Sequence, residues 1–432
     1  MSTSPDSFLG RVGTLLARRP SRNMLAAALV SRFGDALDTF AFQMLVLRMT
    51  GSAAQMGLLL MVNALPNLLF AVAGGSVADK LPLRKIVPFC EGARSVIVAV
   101  CALLVFLGLC PVWLLFVFTF LNSTMETLGA PAMNKMPPIL LEPGELNGYL
   151  GMTQTLTNLA TIVGFAVAGL LMALIGAHGM LLLDALTFLY SAVLLRNACQ
   201  GVPEGAQAGE EESASTVSYM LEGVRFLRKH RLLLVLCLYT GWINLMLAPI
   251  NVLGILYARD ILPGGEEMVG FLYMGFLGGL MLGGLVVTWL NGRLHGRYQL
   301  AIGVALVGLG FASLIVPPLL APSMRLAATV AGCLLTGLGA PLASTAIQGV
   351  LLQQVPGHVL GRVMALSLLL AYAATPLGSA VSGLLGDAVA IPQLFAACGL
   401  IIFCFALPPL VHRLFQGMRI SAPASEEAPE QH

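Results

Sequence analysis

Charge is scarce in this sequence. Asp, Glu, Lys and Arg make up 10% of 432 residues, against roughly 25% in an ordinary soluble domain. So few charges cannot coat a surface that faces water, which excludes a soluble globular protein. The formal net charge is only +2, so a nucleic-acid partner would find no electrostatic footprint and none is expected. Catalytic signatures are missing as well. There is no GxxxxGK[ST] and no Gly-Lys pair anywhere, which removes ATP as an energy source within this chain. HExxH and GxSxG are absent and the six His fall at loops or at the ends of apolar runs, against a metalloprotease or a lipase. No enzyme activity, cofactor or metal is expected. The eight Cys sit in or beside apolar runs without any CxxC, which excludes a disulfide scaffold.

What fills the chain instead is apolar: 57% hydrophobic residues and 47 Gly. A helix needs about 20 such residues to cross a bilayer. Apolar runs between polar or Gly/Pro breaks predict twelve spans, at 24–47, 54–78, 86–109, 112–136, 149–175, 179–199, 232–256, 268–290, 299–320, 324–350, 362–386 and 392–414. The fold class expected is an all-α polytopic membrane protein. The expected division is a cytoplasmic N-terminal segment at 1–23, six-helix bundles at 24–199 and 232–414, a cytoplasmic linker with an amphipathic helix at 200–231 and a disordered cytoplasmic tail at 415–432. The first apolar run carries Arg32, Asp35 and Asp38 and lacks a small-residue cleavage site, so it reads as a retained span. The linker opens Gly/Glu/Ser-rich. It then places Val217, Leu221, Val224 and Leu227 at amphipathic-helix spacing among Glu222, Arg225, Arg228 and Lys229.

Lys and Arg crowd the segments on one side of these spans, whereas Arg48, Arg259 and Arg325 fall on the other. The bias places both termini in the cytoplasm of a cell with this chain in its inner or plasma membrane. The halves also repeat at an offset near 210 residues. GGSVADKLPLR (74–84) sits over GGLVVTWLNGR (283–293), LGAP (128–131) over LGAP (338–341), and GFAVAGLL (164–171) over GSAVSGLL (378–385). Three ordered matches at nearly constant offset imply two pseudo-symmetric bundles inserted in parallel.

Four local patterns carry a family likeness: Gly75-xxx-Asp79-Lys80-xxx-Arg84-Lys85; Gly34-Asp35 followed by Thr50-Gly51-Ser52; the pair Pro143–Gly148 and Leu360-Gly361-Arg362-Val363; and Glu222–Leu227. With them the chain resembles the major facilitator superfamily along nearly its whole length, and most of all its macrolide and siderophore (enterobactin-type) exporters. Pro82 replaces a Gly usual in the loop motif, Phe165 a Pro usual in antiporters, and Glu126 stands in a fourth span that lacks the usual Arg. The resemblance implies two six-helix bundles around a central cavity lined by the first, fourth, seventh and tenth spans. It implies no resident cofactor.

A charge at mid-bilayer costs roughly 2.5–3.5 kcal/mol on insertion scales, so intramembrane charges face a cavity or a partner. Here they are Arg32, Asp35, Asp38, Glu91, Arg94, Glu126 and, near one edge, Asp184, all in the first half. Asp35, Asp38 and Glu126 are the candidate proton-coupling residues; Arg32, Glu91 and Arg94 are candidates for intramembrane ion pairs, Arg32 with Asp35 at i, i+3. Asp79 ends the second span, where the helix dipole disfavours a carboxylate. A compensating partner near Gly361-Arg362 would make a cytoplasmic gate of Gly75, Asp79, Lys80, Arg84, Lys85, Gly361 and Arg362. Candidate substrate contacts are neutral: Asn122, Tyr239, Trp242, Asn244, Asn251, Thr345, Gln348 and Tyr372. The pairs Asn63/Asn67 and Gln154/Asn158 are expected in interhelical hydrogen bonds rather than in substrate contacts.

These features predict a monomeric secondary transporter exporting an amphiphilic or hydrophobic small molecule, with protons or another ion as the coupling partner. A specific siderophore or metabolite exporter, a lysophospholipid flippase and a non-transporting sensor or assembly subunit are the alternatives.

Overall fold

The computed structural model describes residues 18–80, 82–202, 216–290 and 294–418, the side chains at 68, 70–80, 143, 144, 147, 216–221, 266, 267, 357 and 358 excepted. Among the described residues there is no strand. In chain order the helices are α1 (Arg19–Thr50), α2 (Ala53–Lys80), α3 (Leu83–Phe106), α4 (Val112–Leu140), α5 (Pro143–Ala198), α6 (Thr216–Lys229), α7 (Arg231–Leu247), α8 (Pro249–Ile261), α9 (Val269–Leu290), α10 (Gly296–Ala312), α11 (Pro322–Gln354), α12 (Gly357–Gly386), α13 (Ile391–Cys404) and α14 (Leu407–Val411). Two compact units divide the chain, Met1–Ser213 and Ala214–His432.

Local chemistry sets the helix ends. Pro20 opens α1 at a position that needs no amide donor. Gly51 closes it in the left-handed conformation (φ 67°), its N–H donating to Leu47 O at 2.7 Å. At the start of α5, Glu142 and Glu145 form a capping box, and Arg18 clamps both carboxylates at 2.9 and 3.0 Å. Helix α5 runs for 56 residues but breaks at Gly176, whose φ of 68° and ψ of 177° suit glycine. That break lies where the sequence separates spans 149–175 and 179–199. The expected span 232–256 falls within one apolar segment, Arg231–Ile261, long enough to cross a membrane; inside it the helix is interrupted at Ala248 between α7 and α8, because Pro249 cannot donate to the helix behind it.

Nine helical segments among the described residues are long and apolar enough to cross a membrane, the one over Gly148–Gly201 containing the Gly176 break. Helix α1 fails that compositional test because every stretch of it long enough to cross carries three or more charges. Large apolar side chains stand exposed on both units, among them Leu174, Met281 and Leu319, while Trp113 and Trp289 are exposed near helix ends. Such a surface suits lipid with an aromatic interfacial belt.

The sequence repeat reappears as packing. In the first unit α1 lies along α5, α2 along α4, and α3 along α4 and α5. In the second, α7 lies along α12, α9 along α11, and α10 along α11 and α13. The schemes coincide when the two parts of α5 answer to α12 and α13. Matched glycines do matched work. A Cβ on Gly164 would come within 2.6 Å of Ala36 Cβ, and a Cβ on Gly378 within 2.6 Å of Ala248 Cβ. Both absences of a side chain let the first helix of the unit approach closely, as membrane packing requires.

Candidate functional site

In the first unit α1, α3 and α4 bring seven polar groups into one network. Arg94 is buried, with its guanidinium 3.9 Å from the Phe188 ring centre. It pairs with Asp35 and, at 3.4 Å, with Glu91, while its Nε donates to Asn122 Oδ1 at 3.0 Å. Asn122 Nδ2 donates onward to Asp38 Oδ2 at 2.8 Å. Arg32, half-exposed, reaches Asp35 at 3.2 Å and Glu126 at 3.0 Å. The intrahelical Arg32–Asp35 pair is thus present, and Glu126, whose nearest cation on its own helix is Lys135 nine residues on, takes one from α1. Asp38 has no ion-pair partner among the described residues; it accepts from Asn122 and, at 3.3 Å, from Thr39. Asp184 is fully buried between α5 and Gly34 of α1. Its Oδ1 accepts from Thr187 at 3.2 Å, and its Oδ2 has no partner among the described residues.

Buried ions in a low-dielectric setting persist only when paired, and removing one partner costs more than the pair contributes. Five carboxyl groups here (Asp35, Asp38, Glu91, Glu126 and Asp184) share two guanidiniums. Of the polar pairs expected to bond between helices, Asn67 does so by its side chain, accepting from Thr127 Oγ1 at 3.1 Å, whereas at Asn63 it is the backbone carbonyl that accepts from Ser123 Oγ. Gln154 and Asn158 instead bond each other within one helix at 3.1 Å, where i, i+4 spacing already brings them together.

The second unit holds a cavity of about 240 Å³ lined by Asn244, Asn251, Tyr273, Phe276, Phe311, Cys333, Thr336 and Thr375 with aliphatic neighbours. Two of the sequence candidates, Asn244 and Asn251, meet there. Asn244 Nδ2 is spent on the Thr240 carbonyl at 2.8 Å. Aromatic Tyr273, Phe276 and Phe311 and the hydroxyls of Thr336 and Thr375 were not singled out from sequence. They come from four helices, α9 to α12, and only the Gly-rich, aromatic character of α9 hinted at the first two. The remaining candidates lie elsewhere. Tyr239 is buried, its hydroxyl donating to the Phe405 carbonyl at 3.0 Å and its ring edge-on to Phe405 and Phe415. Trp242 stacks on Phe405 at 5.3 Å. Thr345 accepts from Gln299 at 2.8 Å, and Gln348 and Tyr372 are exposed. Asn122 belongs to the ionic network described above.

Of the gate candidates, Gly75, Asp79 and Lys80 lie on α2, with side chains outside the described residues. Arg84 ties the start of α3 to the end of the unit, donating to the carbonyls of Val202 at 2.7 Å and Gln200 at 3.3 Å. Lys85 and Gly361 are exposed. Arg362 pairs with Glu222 of α6 at 2.6 Å. A Cβ on Gly223 would come within 3.2 Å of Arg362 Cβ, so α6 sits directly on the start of α12.

Comparison with known proteins places this geometry. The sequence profile described as Major Facilitator Superfamily matches residues 24–370. The chain is 26% identical over 396 residues to Macrolide efflux protein A of Streptococcus pyogenes, covering 90% of this chain and 95% of that protein. It is 28% identical over 399 residues to Multidrug efflux pump Tap of Mycobacterium tuberculosis, covering 90% and 92%. Among solved structures, a bacterial homologue of the human lysosomal transporter Spinster superposes with a TM-score of 0.69 at 15% identity, covering 94% of this chain and 99% of that one. A bacterial homologue of the iron transporter ferroportin gives 0.69 at 18%, covering 91% and 99%. At such identities the structural likenesses speak for the fold.

Proposed function

The chain belongs to the Major Facilitator Superfamily, and on that basis we propose that it is a proton-coupled exporter of amphiphilic or hydrophobic small molecules. Membership makes it a multi-pass membrane transporter. The finer reading rests on one observation: ionisable groups collect in the first unit, while the second encloses a neutral, aromatic-lined cavity. Charge uptake and ligand binding are then divided between units. Asp38 and Glu126 take the proton, with Asp35 held as the counter-ion of Arg94 and Arg32. Asn251, Phe276 and Thr336 contact the ligand. A cavity of about 240 Å³ is small beside the roughly 300–1,000 Å³ that drug-sized ligands occupy. It therefore suits an apolar limb of a larger amphiphile, in keeping with the macrolide and multidrug relatives. Both termini are cytoplasmic in this reading, and the ends of α2 and α12, at Asp79 and Arg362, act as the cytoplasmic gate.

The test is efflux of a panel of macrolides and lipophilic cations from proteoliposomes, with and without an imposed pH gradient. Efflux that responds to the gradient in the wild type and loses that response in Asp38→Asn and Glu126→Gln is the expected result. Transport that ignores the gradient, or a response unchanged in both variants, would overturn proton coupling at these residues.

A further inference from the structure

Beside Asp38 lies a second, much smaller cavity of about 10 Å³. Its lining consists of Asp38, Thr39 and Phe42 of α1, Leu59, Leu60 and Asn63 of α2, and Thr119 and Asn122 of α4. That volume accommodates one water-sized body. Three observations bear on what it takes. Asp38 is 5% exposed and has no guanidinium or ammonium at ion-pair distance among the described residues. A buried carboxylate in that position calls for a proton or a metal cation. Thr119 is 3% exposed, and its Oγ1 has no hydrogen-bond partner among the described residues. A native buried hydroxyl is rarely left so. The polar atoms around the cell are carboxylate, hydroxyl and amide groups, the oxygen-rich set that hard cations prefer.

We propose that this cell binds a single sodium ion, held by the Asp38 carboxylate with the hydroxyls of Thr39 and Thr119 and the side-chain oxygen of Asn63. One carboxylate balances one positive charge, which favours a monovalent ion over a divalent one. Among the described residues no group of three or more His, Cys, Asp or Glu side chains gathers to hold a transition metal. A cell for one water-sized body has room for any of the alkali ions up to potassium, and the carboxylate favours sodium and lithium, whose smaller radii bring their charge closer to its oxygen. Sodium and the proton compete for the same carboxylate, so occupancy by one excludes the other. The groups that set the balance are Asp35 on α1, Arg94 on α3, Glu126 on α4 and Asp184 on α5, with neutral Asn63 facing from α2. Binding stands by itself; its consequence, sodium as an alternative coupling ion, rests on the exporter reading above.

Radiolabelled sodium binding to the purified full-length protein tests this, together with melting temperature in sodium, lithium, potassium or choline chloride at fixed pH. One saturable ion per chain is expected. Sodium and lithium should raise the melting temperature, potassium should not, and acidification should displace the bound ion. Thr119→Val, which keeps the shape and the carboxylate, weakens binding on the order of tenfold or more; Asp38→Asn abolishes it. Absence of saturable binding, equal stabilisation by potassium, or binding unchanged in both variants overturns the proposal. Efflux in proteoliposomes separates the two readings. Proton-driven efflux indifferent to sodium, with no sodium bound, removes the sodium site and leaves the exporter. Sodium bound without efflux under either gradient removes the exporter and leaves the site.

Discussion

In the first unit Gly164 lets α1 close on α5, and the space it helps define is crossed by Asp35, Arg94, Asn122 and Asp38. In the second, Gly378 lets the corresponding helices close in the same way, yet no buried side chain described there is charged. One scaffold therefore carries two interiors. Packing of small residues builds the bundle without reference to charge, so charge was free to accumulate in one copy and vanish from the other. The ionic interior is costly to assemble and intolerant of single losses. The neutral interior tolerates more variation, which suits the proposed binding of varied apolar ligands.

Four experiments would break or sharpen that contrast. Replacing Arg94 by Met should do the most harm, because it strands Glu91 in the interior and leaves Asp35 with only the half-exposed Arg32. A loss of about 3–5 kcal/mol is expected, read as failure to recover monodisperse protein or a steep fall in melting temperature. A comparably placed change in the second unit, Thr336→Val, should leave folding intact. Next come the matched glycines. Gly164→Leu and Gly378→Leu should each cost about 1–3 kcal/mol by overpacking, and similar losses would show that the two scaffolds are equivalent; a large effect in only one would break the comparison. Changes at the neutral cavity, such as Asn251→Leu, remove one hydrogen-bonding group worth about 0.5–1.5 kcal/mol. They should raise KM for efflux several-fold with the pH response unchanged. Smallest of all is Glu222→Gln. Its pair with Arg362 is half-exposed on the Glu side, so stability should shift by about 1 kcal/mol or less, measured by thermal unfolding.

Much of the scaffold could be read from the linear chain. Glycine-containing repeats foretold the matched packing of Gly164 and Gly378, and the polar interruption after residue 175 foretold the break at Gly176. Spacing alone gave Arg32 with Asp35 and Glu91 with Arg94, since partners one turn apart on a helix are adjacent in any fold. Contacts between distant segments were another matter. Glu126 lacks a cation nearby in sequence, and its partner Arg32 lies 94 residues away. Asn122 looked like a ligand contact, whereas its amide is committed to Arg94 and Asp38. Tyr239 and Trp242 face Phe405 because α7 packs against the segment that follows α13. Arg84, placed in the gate by its motif, spends two donors on carbonyls at the far end of its own unit. Pro249 was visible in the sequence and still passed over; hydropathy continues smoothly across it although the hydrogen-bond ladder cannot.

One amide carries a consequence of its own. A guanidinium only donates, so Asn122 must turn its oxygen to Arg94 and its NH₂ to Asp38. The amide is thereby polarised in one sense, like a one-way valve set by an arginine it never releases. Oδ2 of Asp38 already meets a donor, so under the proton-coupling proposal the acidic hydrogen would sit on Oδ1, on the side shared with Thr39. Reversing the amide would require losing Arg94.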